Sequence, residues 1–140
     1  MKRFNFNLEK ILQLRKFKEE ECKLALGQAI SILNKIENDI LQTAVKKHNA
    51  ASQRFNNVTE IISWEAYILR LDQEAEKLAE KAAKAELVVE EKRALYLEAQ
   101  KDLKALEKLK EKRQKEHRKE MLKYEMNQID ELTSARLVLK

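Results

Sequence analysis

Between Trp64 and Leu106 the apolar residues recur with strict four-then-three spacing. The series runs Trp64, Ile68, Leu71, Ala75, Leu78, Ala82, Ala85, Val89, Lys92, Tyr96, Ala99, Leu103, Leu106, and every member but Lys92 is apolar. Over so many turns only a coiled-coil seam asks for this pattern, because a 3.5-residue repeat keeps one stripe turned toward a partner helix. The same spacing relates Leu8, Leu12, Cys22, Leu26, Ala29, Leu33, Ile36 and Ile40, passing through Arg15 and Glu19. Two seams in one chain predict two long helices packed together. One glycine and no proline in 140 residues leave few places for the chain to turn, so the helices must be few and long.

The first helix is expected from Asn7, a favoured N-cap, with Phe6 and Ile11 spaced as a hydrophobic staple. Its seam meets Thr43 and Lys47 after Ile40. A one-residue shift restores the repeat through Ala44, His48, Ala51, Phe55 and Val58, which reads as a stutter. Asn56–Asn57 reads as the break, and Asn57 with Glu60 has capping-box spacing. Ser63 is a second possible cap. The expected organisation is one coiled-coil domain, 1–140: helix one about 7–56, a tip about 56–63 with room for a short extra helix, and helix two about 63–139. The fold class is all-α, a long antiparallel two-helix coiled-coil hairpin whose second helix is the longer. Heptad matching sets position i of helix one opposite about position 120 − i of helix two. The seam turns polar at Lys110, Arg113 and His117. A new apolar face follows on Leu122, Met126, Ile129, Leu132 and Leu139, where helix one has run out. An isolated helix is marginal in water, so this face needs a partner or frays.

Composition excludes several functions. The 38% charged content, with net charge +5, is interleaved rather than blocked. Lys104 to Lys123 also carries Glu107, Glu111, Glu116 and Glu120, a self-compensating helix surface rather than a nucleic-acid footprint. A two-helix hairpin offers no cleft to exclude water and shift a pKa. There is no glycine-rich phosphate loop and no paired-histidine metal spacing. The expectation is no enzyme, no cofactor and no metal. His117 reads as a polar seam residue rather than a ligand, and Cys22 as a small seam hydrophobe rather than a nucleophile. No apolar run of about 18 residues is present to span a membrane. No leader-like apolar stretch opens the chain, and one cysteine fits a reducing compartment, so a cytoplasmic protein is expected. Trp64, Tyr67, Ile68 and Leu71 concentrate aromatic and aliphatic side chains at the tip. They either plug the open end of the hairpin or form a binding patch.

Several stretches resemble the flagellar export protein FliJ family. They are Phe4-x-Phe6-x-Leu8-Glu9-Lys10-Ile11-Leu12-x-Leu14-Arg15 at the start and Tyr67-Ile68-Leu69-Arg70-Leu71 at the second helix. Leu106-Glu107-Lys108-Leu109-Lys110-Glu111-Lys112-Arg113 and Ile129-Asp130-Glu131-Leu132 follow, in the family's order. The resemblance implies a soluble, stalk-like component of the flagellar type III export apparatus, peripheral at the cytoplasmic face of the inner membrane. It implies that the end carrying the termini enters the hexameric ring of the export ATPase FliI and promotes its assembly and activity. The contacts assigned to that ring are Phe4, Phe6, Leu8, Leu122, Met126, Ile129 and Leu132. It also implies binding to the export gate FlhA through Tyr67 and Leu71, with Glu74 and Leu78 next in line, and escort of export chaperones. Glu74 and Leu78 depart from the family's small residue and histidine. Thr43, Lys46 and Ala50 stand where relatives can carry larger apolar or aromatic residues. The free chain is expected as a monomeric hairpin, without nucleic acid and with at most peripheral membrane association. The alternatives are a generic structural coiled coil or adaptor, including a parallel homodimer of unbroken helices, and a basic helix that binds membrane surfaces.

Overall fold

A computed structural model describes residues 3–139. Two helices account for nearly all of it: α1, Glu9–Ala51, and α2, Val58–Leu139. No strand occurs among the described residues. The helices pack against each other as an antiparallel hairpin, and α2 is the longer. The chain divides into two compact units, one of residues 21–97 and one joining residues up to Glu20 to those from Glu98 onward.

In the unit spanning 21–97, burial follows the strict repeat. Ala29, Leu71, Ala82 and Val89 are buried, and Leu26, Leu33, Ile36, Ala75, Leu78 and Ala85 are half-buried. A two-stranded seam shields each side chain from one direction only, so partial burial is what the geometry permits. The stutter does not occur. Thr43 and Ala50 are buried while Ala44, His48, Ala51 and Val58 are exposed, so the four-three repeat of α1 continues to its end. Two polar seam positions of α1 have local solutions. Thr43 Oγ1 donates to the Asp39 carbonyl at 2.9 Å. Lys47 leaves the seam edge to meet Asp72 of α2 at 2.6 Å.

The turn comes about five residues earlier than the sequence implies. α1 ends at Ala51 rather than near 56, and α2 begins at Val58 rather than near 63. No extra helix forms at the tip, and Ser63 lies inside α2. Asn57 caps α2: its Oδ1 accepts the Glu60 N–H at 2.9 Å, and the Glu60 carboxylate accepts the Asn56 N–H at 2.8 Å. This is the expected capping pair, with Glu60 reaching one residue further back.

The other unit pairs the start of α1 with α2 beyond Glu98. Leu12, 1% exposed, and Ala99, 4% exposed, are its best-buried seam residues. Arg15 meets Asp102 at 3.6 Å, and Glu9 meets Lys110 at 2.9 Å. The numbers in each cross-helix pair, Lys47 with Asp72 included, add to about 120, the register that heptad matching predicts. The expected cap at Asn7 is replaced. α1 starts at Glu9, whose N–H donates to the Phe6 carbonyl at 3.1 Å. Asn7 instead accepts a hydrogen bond from Arg113 on α2. Of the staple pair, Phe6 is buried beneath Arg113 and Ile11 is exposed.

Candidate protein-binding surfaces

The tip is closed by one tryptophan. Trp64 Nε1 donates to the Ala50 carbonyl at 2.7 Å, and that carbonyl also accepts the Gln53 N–H at 3.2 Å. Phe55 stands edge-on to the Trp64 indole, with centroids 5.4 Å apart. Trp64 therefore plugs the hairpin end, as the first of the two sequence readings holds. Arg54, Phe55, Asn56, Ser63, Trp64 and Tyr67 line an open depression of about 740 Å³ beside the turn.

The four gate-assigned residues separate by exposure. Tyr67 is exposed, with the Arg70 guanidinium 5.9 Å from its ring centre, and Glu74 is exposed. Leu71, 4% exposed, is packed in the seam, and Leu78 is half-buried there. Exposed Val58, Ile62 and Leu69 add an apolar stripe along the first turns of α2. They share a face by their spacing of four and seven.

The ring-assigned residues fall into two groups. Phe4, Phe6 and Leu8 lie ahead of α1 and are covered by α2. Phe4 packs on the His117 ring at 5.6 Å, Phe6 under the Arg113 guanidinium at 5.6 Å, and Leu8 is half-buried. Thus the polar seam at Lys110, Arg113 and His117 is paired, not idle. Its partners are Glu9, Asn7, Phe6 and Phe4. The sequence signal for this was present, because these three residues keep the four-three spacing of the seam. The Lys110 ammonium, hydrogen-bonded to Glu9, holds that carboxyl below its ordinary value, and Gln13 adds a second hydrogen bond.

The second group is bare. Leu122, Met126, Ile129 and Leu132 are all more than half exposed, as are Leu137 and Val138. The seam extended by its own spacing would pass through Glu120, Tyr124 and Glu131. By helical periodicity Leu122 and Ile129 point the opposite way from that line. The terminal stripe is therefore no continuation of the hairpin seam. Leu139 belongs to the predicted face, but its side chain lies outside the described residues.

Chemistry is sparse. Among the described residues no three His, Cys, Asp or Glu side chains gather as metal ligands. Among the described residues no helix is long and apolar enough to cross a membrane.

A helical hairpin with a plugged tip and bare apolar stripes defines a coiled-coil protein. Residues 4–139 match the family described as flagellar FliJ protein, and the chain belongs to that family. It is accordingly a component of the flagellar export apparatus, in a family of non-enzymatic components. Comparisons with curated proteins and with solved structures gave no match.

Proposed function

We propose that this chain is the stalk-like activator of the export ATPase, cytoplasmic and peripheral at the inner membrane. The stripe Leu122, Met126, Ile129 and Leu132 inserts into the FliI hexamer. Phe4, Phe6 and Leu8 brace the adjoining part of α2 through Arg113 and His117 rather than offering a surface themselves. Tyr67 and Glu74, with the edges of Leu71 and Leu78, contact the gate FlhA, and export chaperones are handed between the two. The observation that carries this reading is the bare apolar stripe on a helix whose partner has ended, in a member of this family. A stalk whose stripe is covered only by the closed ring binds the assembled ATPase selectively, and any ligand that does so shifts assembly toward that state.

The test adds the protein to purified export ATPase and follows hexamer fraction and ATP turnover. Both should rise with the wild-type chain, and the gain should disappear with Leu122→Glu/Ile129→Glu. A wild-type chain that changes neither quantity removes the activator role.

A further inference from the structure

Level with Gln28 the two flanks of the seam differ, whereas toward the tip the second flank turns polar at Asp39, Glu74 and Lys81. On one, the residues directly after seam positions are Lys23, Glu37, Glu86 and Arg93, all exposed, with Ile30 half-buried. On the other, the residues directly before Leu26, Leu33, Val89 and Tyr96 are Ala25, Ile32, Val88 and Leu95. The hairpin register sets Ala25 level with Leu95, and Ile32 level with Val88. Ile32 is 59% exposed, Val88 43% and Leu95 46%. A hairpin that folds alone needs only the seam, whereas a third apolar position beside it is the pattern of helices in a larger bundle. The same flank carries a groove of about 350 Å³ whose lining includes Cys22, Leu24, Ala25 and Leu95, with Glu21, Gln28 and Lys92 at its polar part.

We propose that this flank binds a second copy of the chain, forming an antiparallel four-helix dimer about a two-fold axis near Gln28. The axis sets α1 against α1. Small Ala25 then faces Ile32 of the second copy, whose side chain enters the groove, and the reciprocal contact follows by symmetry. Charge chooses this orientation. Glu21, Gln28 and Lys35 are exposed on α1 along the rim of this flank. In the antiparallel dimer Glu21 faces Lys35 of the other copy, twice. In the parallel alternative α1 lies against α2 at the same level. Lys35 then meets the exposed Lys84, and like charges penalise that arrangement. The inference does not rest on the export role, because it leaves residues 122–132 untouched.

Sedimentation equilibrium from micromolar to near-millimolar concentration tests it. The wild-type mass should rise from monomer to dimer. Ile32→Lys/Val88→Lys should weaken association at least about tenfold with helicity and melting unchanged, since both side chains are exposed in the single hairpin. Lys35→Glu should weaken it, and Glu21→Lys/Lys35→Glu should restore it, because the exchanged pair is again complementary. Gln28→Cys in a Cys22→Ala background should cross-link two chains on oxidation. A monomer at every concentration overturns the proposal, as does a dimer insensitive to Ile32→Lys/Val88→Lys. A dimer that fails to cross-link through position 28 overturns the antiparallel arrangement.

Discussion

At the scale of single residues, the hairpin is fixed where polar atoms reach across it. Trp64 joins the start of α2 to the last turn of α1 through the Ala50 carbonyl. Trp64→Phe keeps most of the apolar plug and deletes the donor, while Gln53 still serves the carbonyl. The expected loss is about 1 kcal/mol, the net value of such a hydrogen bond, read by chemical denaturation. Asn57→Ala should cost a similar amount, about 1 kcal/mol, through the lost N-cap. Leu12→Ala removes the best-buried side chain and should cost about 2–5 kcal/mol. Glu9 gives a pH signature. Its folded-state pKa lies below the ordinary 4.5, so its contribution is complete above that value and is lost as pH falls through the lower one. Glu9→Gln should flatten the stability–pH curve below about pH 4.5 and leave its shape at neutral pH unchanged. A mutant curve parallel to wild type in acid would refute this.

At the scale of elements, α1 and α2 are covered unequally. α2 is paired as far as His117 and bare from Leu122 onward. Helix without a packed face depends on propensity alone, which is marginal in water. Amide hydrogen exchange should therefore be fast at 122–139 and slow around Leu71, Val89 and Ala99 in the free protein. Equal protection along α2 would show that another contact covers its end. The stutter expected in α1 teaches a related lesson. Ala44, His48, Ala51 and Val58 form an apolar sequence phase, and the phase is real. It lies on the surface, while Thr43 and Ala50 keep the seam and Lys47 crosses its edge. Periodicity reports which residues share a stripe, but not which of two stripes is buried. The choice depends on the partner helix: Leu71 and Asp72 arrive opposite the seam residues, and Asp72 gives Lys47 an ion pair.

At the scale of the molecule, the fold was legible because the unbroken repeat of Trp64 to Leu106 admits one kind of partner. The turn was placed less well, since Asn56, Asn57 and Ser63 all carry capping chemistry and only packing selects among them. Asn7 is a comparable case: its amide would cap α1 in isolation, but Arg113 claims it. The residues assigned to the gate were legible as a cluster and not by exposure, because Leu71 sits in the seam and Tyr67, one helical turn before it, sits at the seam's edge. A register defined by pairs makes a further prediction. Deleting residues 36–42 together with 78–84 removes one matched heptad from each helix and should leave a cooperatively folded hairpin. Deleting 36–42 alone leaves Lys47 opposite Asp72 but slides Ala25 away from Leu95. It should melt at a lower temperature than the double deletion, although it removes fewer residues. Equal melting would mean the seam is slippery.

The cross-helix register also limits how such a gene can drift in length. A single inserted codon rotates every later seam residue away from its neighbour, and a lone heptad displaces one strand of the pair along the other. Only two matched heptads restore both, so viable length variants should differ in steps of roughly fourteen residues, split between α1 and α2. The exception is the stretch after His117, where nothing in the hairpin keeps count and the chain is free to lengthen or shorten by any amount that the protein it meets will accept.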